Sequence, residues 1–331
     1  MRSASGVRSL LAPFTPLYRL GLALRERRIA SGREPIRRLR FPVISIGNLS
    51  TGGAGKTPLV IALAQALTRR GLAVDVLSRG YGRRSQAAAR VDPGGRADDF
   101  GDEPLLIARQ AGVPVYVAPQ RYDAGVLAEA GADPGGPAVH ILDDGFQHRQ
   151  LHRDIDILLL NRADWHDRLL PAGNLREALR SATRADAIAI PSTEPELESE
   201  LRRGGWKGPV WRLNRRMEIP RIDGPVLAFC GIARPEQFFA GLKQSVVDVA
   251  ACTAYPDHHR YTARDLDQLA AQALAAGATT LLTTEKDQVR LSGLRPPLPT
   301  VTVRLRTEIE PAALDWIEDR LKPVSQGKGE Q

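Results

Sequence analysis

A glycine-rich stretch in the first fifth of the chain has the residue types and spacing of a phosphate-binding loop. It reads STGGAGKT over residues 50–57 and lies between an apolar run and a helical pattern. Glycines let backbone N–H groups converge on phosphate oxygens, and the N-terminus of the following helix attracts the same anion. Lys56 can reach the β- and γ-phosphates of ATP, and the Thr57 hydroxyl can ligate Mg²⁺. The predicted ATP-binding residues are Ser50, Thr51, Gly52, Gly53, Ala54, Gly55, Lys56 and Thr57, with Ser50 where the usual motif has glycine.

Two adjacent aspartates, Asp143 and Asp144, are the second candidate for chemistry. They follow a predicted strand at residues 138–142. Because the carboxyl ends of parallel strands converge on the ligand crevice of an open sheet, we expect both side chains near the loop. Carboxylates at that edge hold Mg²⁺ directly or through water. The alternative is a solvated turn leading into Gly145.

Several other polar clusters are ambiguous on spacing alone. They are GDEP at 101–104, LRE at 175–177, DHH at 257–259 and TEKD at 284–287. Acidic residues in the first turn of a helix commonly serve only the helix dipole, and most surface histidines take no part in catalysis. Transfer of phosphate to an alcohol needs a base and cations. Arg79 and Arg121 are candidate phosphate contacts, with ordinary surface arginines as the alternative.

Short apolar runs alternate with helical patterns from residue 41 onward, which is typical of parallel α/β units. The predicted strands of the first half lie at residues 41–46, 72–77, 113–117, 138–142, 155–160 and 187–190, and its helices at 57–70, 103–111, 122–130 and 175–183. Residues 192–224 predict a linker with one or two short strands, as at 210–213. A smaller unit follows, with strands at 226–230, 246–251, 279–283 and 301–305 and helices near 235–244, 262–276 and 310–321.

This order predicts an α/β fold with a P-loop NTPase-like parallel sheet domain and a smaller α/β C-terminal domain, joined by a short β linker. The length of 331 residues, with 43% hydrophobic and 25% charged residues, is typical of a soluble globular protein with two domains. The expected segments are a basic amphipathic membrane-associated segment at 1–40, the P-loop kinase domain at 41–215, the smaller domain at 216–324 and a disordered tail at 325–331.

The positive charge of the chain is concentrated at its beginning. Residues 1–40 contain ten arginines and two glutamates, which equals the whole formal net charge of +8. A basic arm on a neutral body predicts a polyanionic partner. Leucines and aromatic residues interleave with the arginines, which favours an amphipathic segment on an anionic membrane surface. The alternatives are an arm packed on the protein's own surface and, less favoured because no binding module is recognisable, a nucleic-acid contact.

The number and spacing of the cysteines indicate the redox state of the compartment. The two cysteines, Cys230 and Cys252, cannot form a disulfide framework and match no metal-ligand spacing, so we expect a reducing compartment. We also expect neither a cleaved signal peptide nor a membrane-spanning helix, because no apolar run approaches the ~20 residues that a bilayer requires.

Taken together and in this order, the motifs resemble the tetraacyldisaccharide 4′-kinase family of lipid A assembly. The matching stretches are GNLSTGGAGKTP (47–58), SRGYG (78–82), GDEP (101–104), DDGFQH (143–148), LPAG (170–173), LRE (175–177), GIARP (231–235), DH (257–258) and TEKD (284–287). They extend over nearly the whole predicted folded chain, and members of this family share the Ser50 variant of the loop. The combination is far more specific than any single motif.

The resemblance implies an activity, cofactors and a location. Such enzymes transfer the γ-phosphate of ATP, with Mg²⁺, to the 4′-hydroxyl of a lipid disaccharide 1-phosphate and give lipid IVA. They work at the cytoplasmic face of the inner membrane of Gram-negative bacteria, as peripheral or monotopic proteins. The resemblance also implies two α/β domains around a cleft and an N-terminal segment at the membrane. We expect no nucleic-acid partner and no obligate protein partner.

The resemblance further assigns roles to individual residues. A carboxylate–histidine pair of the family corresponds to Asp102 and His258, with the aspartate as base for the sugar hydroxyl, and we expect the two to meet only when the cleft closes. The implied catalytic residues are Asp102, His258, Lys56 and Asp144. The implied metal ligands are Thr57, Asp143 and Glu177.

Two other functions remain open on the residues alone. One is a P-loop kinase of a different small alcohol, with a merely structural N-terminal arm. The other is a nucleotide-driven switch or metallochaperone-type NTPase, which hydrolyses nucleotide without an acceptor and depends on a protein partner. The basic arm fits that second function less well, and the sequence contains no NKxD motif for guanine.

Overall fold

The apolar runs of the sequence form the strands of one sheet in this computed structural model, which describes residues 11–53, 55–131 and 138–322. The strands are β1 (Val43–Asn48), β2 (Ala73–Ser78), β3 (Ala89–Arg90), β4 (Val115–Val117), β5 (Ala138–Asp143), β6 (Ile155–Leu159), β7 (Ala187–Pro191), β8 (Val210–Glu218), β9 (Val226–Cys230), β10 (Val249–Ala254), β11 (Thr280–Thr284) and β12 (Thr300–Glu308). The α-helices are α1 (Thr15–Ala30), α2 (Lys56–Arg69), α3 (Ala97–Phe100), α4 (Asp102–Ala111), α5 (Arg121–Ala130), α6 (Arg162–Trp165), α7 (Glu196–Arg203), α8 (Pro235–Lys243), α9 (Ala263–Ala275), α10 (Glu285–Arg290) and α11 (Pro311–Leu321). Ala54, the first ten residues of the predicted N-terminal segment and the predicted tail at 325–331 lie outside the described residues.

The strands are ordered β10-β9-β11-β12-β8-β7-β6-β1-β5-β2-β4-β3 across the sheet. Neighbouring strands are parallel except at the β3–β4 and β8–β12 pairs. This mostly parallel sheet confirms the predicted α/β fold class. It also runs without a break through both predicted domains, because β8 pairs with β7 on one side and with β12 on the other.

The central strand β1 places the predicted chemistry at one edge of the sheet. All six of its residues are buried, as expected for a parallel strand covered on both faces. It lies between β5 and β6, and Ile46 pairs with Asp143 at the end of β5. The glycine-rich loop and the two aspartates therefore leave neighbouring strands side by side.

The last helix, α11, packs into the core of the first half of the chain. Ala313 and Ile317 are buried in the same apolar cluster as Ile44 of β1. The Trp316 ring meets Trp211 edge-on, with 5.5 Å between the ring centroids. The predicted boundary between residues 215 and 216 falls within β8, and the proposed domain limits remain a prediction.

Three predictions differ from the structure by more than small shifts of their bounds. The helix predicted at 175–183 is wrong: Leu175 forms isolated bridges with Ser50 and Leu169, and only Leu179–Arg184 is helical, as a 3-10 turn. The strand predicted at 246–251 begins three residues later, after a fully exposed Val246. The predicted linker contains the helix α7 and the nine-residue strand β8.

Candidate active site

The glycine-rich loop joins β1 to α2, which begins at Lys56. Gly52, Gly53 and Gly55 have φ angles of 78°, 63° and 80°. These angles lie in the left-handed region, which side-chain-bearing residues rarely adopt, so the glycines are required by the backbone itself. The loop has the local order of strand, glycines and helix that the sequence predicts for a P-loop.

Asn48, the last residue of β1, connects the loop to the residues around it. Its Oδ1 accepts hydrogen bonds from Lys56 Nζ at 2.8 Å and from Arg176 Nη2 at 2.6 Å. Its Nδ2 donates to Ser50 Oγ at 3.0 Å. Sequence reasoning assigned no role to Asn48, although an amide side chain at the end of the strand that leads into a P-loop is a usable signal.

Asp144 is held by two cations. Arg176 donates two hydrogen bonds to its carboxylate, at 2.9 and 2.8 Å, and Lys56 Nζ lies 3.4 Å from Oδ1. Burial alone would raise the pKa of Asp144, but the Lys56 ammonium and the Arg176 guanidinium outweigh burial and hold that pKa well below its usual range. The carboxylate is therefore ionised beside the loop lysine.

Asp143 has a different environment from its neighbour. Ser78 Oγ donates to its Oδ2 at 3.0 Å, whereas Oδ1 is buried with no hydrogen-bond partner among the described residues. Burial, together with the nearby Glu103 and Asp144 carboxylates, raises the pKa of Asp143 to about 7. An unpartnered carboxylate oxygen in a site of accumulated negative charge fits a cation ligand.

The other two predicted metal ligands, Thr57 and Glu177, have different surroundings. Thr57 is buried in the first turn of α2, directly after the loop lysine. Glu177 instead accepts a hydrogen bond from Arg184 at 2.6 Å and lies near Tyr18 of α1. No group of three or more histidine, cysteine or acidic side chains in the described ranges is arranged to hold a metal ion. A role of Glu177 in metal binding remains a prediction.

Asp102 and His258 come from different halves of the chain and are in contact. His258 Nδ1 lies 2.9 Å from Asp102 Oδ2, and Arg290 Nε donates to the same oxygen at 2.8 Å. The pair is thus in contact in this structure, and the expectation that it meets only on closure stays a prediction. Arg290, which sequence reasoning missed, lies one turn after the TEKD motif.

The charges around this pair keep Asp102 ionised and favour the protonated form of His258. Burial would raise the pKa of Asp102, but the hydrogen bond with His258 and the Arg290 guanidinium hold that pKa well below its usual range. The same hydrogen bond raises the pKa of His258. Glu103, the next residue along the chain, forms an ion pair with Lys286. The charges of Lys286 and Lys56 both lower the pKa of Glu103. The pair and the loop lysine therefore belong to one electrostatic cluster.

The TEKD motif forms the support for this cluster. Asp287 is fully buried and accepts hydrogen bonds from the Gly231 amide and from the Tyr261 hydroxyl, both at 2.9 Å. Thr284 Oγ1 donates to its other oxygen at 2.6 Å, and Arg290 Nη1 lies 3.1 Å away from Oδ1. These contacts fix the direction in which Arg290 presents its guanidinium to Asp102.

A basic patch, which contains Arg79 and Arg121, lies near Asp144 and His148. Arg121 begins α5, is buried, and senses the charges of Asp144 and Arg79. Burial lowers the pKa of Arg121 to about 10. Burial and the neighbouring Arg121 also lower the pKa of His148 to about 3, so this imidazole is neutral. Guanidinium groups gathered around a neutral histidine favour an anionic ligand.

The chain matches one kinase family over nearly its whole length. The family model described as Tetraacyldisaccharide-1-P 4'-kinase matches residues 7–322. The chain belongs to the tetraacyldisaccharide 4′-kinase family. This membership confirms the family resemblance of the motifs and the expectation of a kinase.

Individual members of the tetraacyldisaccharide 4′-kinase family are similar in sequence to this chain over most of their length. The Koribacter versatilis member is 39% identical over 318 residues, covering 92% of this chain and 97% of the relative. The Neisseria meningitidis member is 36% identical over 296 residues, covering 86% and 83%. A crystal structure of LpxK from Aquifex aeolicus in complex with ATP is 33% identical with a TM-score of 0.73, covering 95% of this chain and 99% of that one.

The opposite pKa shifts of Asp102 and His258 predict a pH-dependent stability. The pKa of Asp102 is lowered on folding, so its contribution is present above about pH 4 and is lost as the pH falls through the folded pKa. The pKa of His258 is raised, so its contribution is complete below about pH 6.5 and is lost as the pH rises through the folded pKa. We expect the loss of Tm caused by His258→Gln to be largest between about pH 4 and 6.5. Thermal unfolding of the wild type and His258→Gln at several pH values tests this expectation. The control is His166→Gln, because His166 is exposed. A loss of Tm that is independent of pH would contradict the prediction.

Proposed function

We propose that this protein transfers the γ-phosphoryl group of ATP to the 4′-hydroxyl of a tetraacyldisaccharide 1-phosphate and so gives lipid IVA in lipid A biosynthesis. The observation that carries the proposal is one electrostatic cluster that contains the P-loop Lys56, the buried Asp143 and the Asp102–His258 pair, in a chain of this kinase family. The family names the reaction, and the cluster supplies a group for each part of it.

In the proposed reaction the acceptor oxygen attacks the γ-phosphorus. The new O–P bond forms as the bond from that phosphorus to the β–γ bridging oxygen breaks, and ADP leaves with the bonding electron pair. The hydroxyl proton goes to the Asp102 carboxylate, and His258 tunes the basicity of that carboxylate through their hydrogen bond. Phosphoryl transfer passes through a loose transition state, so a carboxylate of low pKa is a sufficient base.

Lys56 and the loop amides are proposed to hold the phosphates. Lys56 pairs with the Asp144 carboxylate and donates a hydrogen bond to Asn48 Oδ1. Phosphate oxygens would compete for the ammonium, while Arg176 keeps Asp144 in place. Thr57 and Asp143 would hold Mg²⁺, whose positive charge, when it is bound, neutralises charge on the β- and γ-phosphate oxygens. The unpartnered Oδ1 of Asp143 supports this choice among the predicted ligands.

The acceptor is proposed to enter beside α1 and the basic patch. Arg79 and Arg121 are the proposed contacts for an acceptor phosphate or for the ATP phosphates, because guanidinium forks match such oxyanions. Tyr18 of α1 donates to the Arg176 carbonyl at 2.9 Å, and Arg25 donates to the Gln147 carbonyl. The N-terminal helix therefore lies directly against the loops that carry Asp144 and Arg176.

The helix α1 has two apolar sides. Tyr18 and Leu22 pack against the cluster around Phe146, whereas Leu17, Leu20 and Leu24 are exposed on the opposite side. Within the described ranges, no helix has the length and apolarity needed to cross a bilayer. We propose that the exposed leucines and the surrounding arginines bind α1 to an anionic membrane surface, at the cytoplasmic face of the inner membrane of a Gram-negative bacterium.

Removing the exposed leucines should reduce membrane binding. We expect the triple substitution Leu17→Gln, Leu20→Gln, Leu24→Gln to weaken sedimentation with anionic vesicles by about tenfold or more, because each leucine loses apolar area that the lipid would bury. Binding should also fall as salt is added, since the arginines contribute electrostatically. The control is Leu274→Gln, which removes an exposed leucine from α9. Equal binding by the triple variant and the control would refute the assignment.

The function itself is tested with labelled ATP and a panel of acceptors. We expect the purified protein to label a tetraacyldisaccharide 1-phosphate and not soluble sugars or nucleosides. Labelling of a soluble alcohol instead would show a kinase of another substrate. Acceptor-independent release of phosphate, stimulated by a protein partner, would show a nucleotide-driven switch.

A further inference from the structure

The second half of the chain touches the P-loop at the turn between β9 and α8. This turn contains the end of the GIARP motif, to which the proposed reaction gives no task. A Cβ built on Gly52 would lie 2.9 Å from Cβ of Ala233. A Cβ built on Gly53 would lie 3.0 Å from Cγ and Cδ of Arg234 and 3.1 Å from Nε. The Arg234 side chain therefore runs along the bare glycine surface of the loop.

A second arginine reaches the same loop from β8. A Cβ built on Gly55 would lie 2.6 Å from Cζ and Nη1 of Arg215. Burial lowers the pKa of Arg215, Glu194 opposes this, and the charge of Arg234 lowers that pKa further. The two guanidinium groups are thus close enough to repel each other. Arg215 is the last residue of the predicted P-loop domain, and Arg234 lies in the predicted smaller domain.

Among the residues that the structure describes, Arg234 has no hydrogen-bonded counterion. Its side chain is half-buried and makes no hydrogen bond to any residue that the structure describes. The nearby carboxylate that senses its charge is the buried Asp164. Positive charge collected beside a phosphate-binding loop is relieved by an anion with several oxygens, which a guanidinium can contact with two N–H groups at once.

We infer that Arg234 is a further catalytic residue, which donates to the phosphate oxygens of bound ATP from the second half of the chain. This inference rests on the proposed function. As the bond between the γ-phosphorus and the β–γ bridging oxygen breaks, negative charge builds up on the oxygens of the phosphates, and the guanidinium stabilises it. Arg234 neither gives nor takes a proton, so the atoms and electrons of the transfer balance as before.

A purely structural role would give different results. An arginine that only packs on Gly53 would set the shape of the loop, so its loss would weaken ground-state nucleotide binding and lower Tm. A guanidinium that acts on the developing charge would instead affect kcat and the binding of a transition-state analogue, with little change in affinity for ADP. The conservative variant separates charge from geometry, because lysine keeps the charge and lacks the fork.

The experiment compares the full-length wild type with Arg234→Ala, Arg234→Lys and the control Arg216→Ala. Arg216 is exposed on β8 and pairs with Glu218 and Glu308, away from the loop. The measurements are kcat and KM for ATP, the affinities for ADP and for ADP with aluminium fluoride, and Tm. We expect Arg234→Ala to lower kcat by roughly 10²–10³-fold and to lose aluminium fluoride binding, with ADP affinity and Tm near those of the wild type. Arg234→Lys should restore only part of kcat, and Arg216→Ala should behave as wild type.

Other outcomes would overturn the inference. Weakened ADP binding with an unchanged kcat at saturating ATP would make Arg234 a packing residue of the loop. If Arg234→Ala does not fold, Arg234→Lys decides, and a lysine variant with wild-type kcat and aluminium fluoride binding contradicts a role for the fork. Failure of the proposed acceptor is distinguishable, because the two ADP affinities need no acceptor.

Discussion

Replacing Lys56 with methionine is expected to lower kcat by roughly 10²–10³-fold, because the ammonium that stabilises charge on the transferring phosphoryl group is lost. The Lys56 side chain is only 13% exposed and contacts Asp144 and Asn48. Methionine keeps the buried stem, and Arg176 still pairs with Asp144, so the fold is expected to remain intact. The measurement is phosphate transfer from labelled ATP together with Tm.

The exposed lysine of the β7–β8 connection provides a matched control for this experiment. Lys207→Met changes the same residue type far from the loop and should leave kcat unchanged. Turnover like that of the wild type in Lys56→Met would remove the P-loop from the mechanism. A large fall in Tm would show instead that the Lys56–Asp144 contact is structural.

The second large effect concerns the Asp102–His258 pair. We expect Asp102→Asn and His258→Ala each to lower kcat by roughly 10²–10⁴-fold with little change in ATP affinity, because both act on the acceptor proton. Since the two groups share one hydrogen bond, their losses should not multiply. The double variant should be about as slow as the slower single variant.

Single-turnover transfer by the four proteins at several pH values tests this pair. Asp99→Asn and His166→Ala are suitable controls, because both residues are exposed. Losses that simply multiply would contradict a pair that acts as a unit. If His258→Ala only raises KM for ATP, His258 is a binding residue, and the base must be sought among Asp143, Asp144 and Glu177.

The sequence predicts the parts of the site that depend on local order. The P-loop requires only a strand, glycines and a helix in succession, so its position could be predicted from residues 50–57. Asp143 and Asp144 follow a strand of the same sheet, and their position beside the loop follows from the convergence of parallel strands. Strand ends and spacing are encoded within a few neighbouring residues, which is why these predictions agree with the structure.

Residues that act through distant partners could not be predicted in this way. Arg176 and Arg290 reach their carboxylates from 32 and 188 positions away in sequence, and no local pattern reports such contacts. The false helix at 175–183 has the same origin, because Leu175 is taken up by bridges to Ser50 and Leu169. The TEKD motif did contain a local signal: Thr284 caps α10 by accepting from the Asp287 amide, a capping pattern that predicts the helix start.

The packing of α11 has a consequence for how the chain acquires its structure. Ala313 and Ile317 fill the same core as Ile44, although more than 250 residues of sequence separate them from that strand. Domains usually fold in order as synthesis proceeds, from the N-terminus onward. Here the core around the nucleotide-binding strand stays incomplete until α11 has left the ribosome. Fragments that end before α11 are therefore expected to be insoluble.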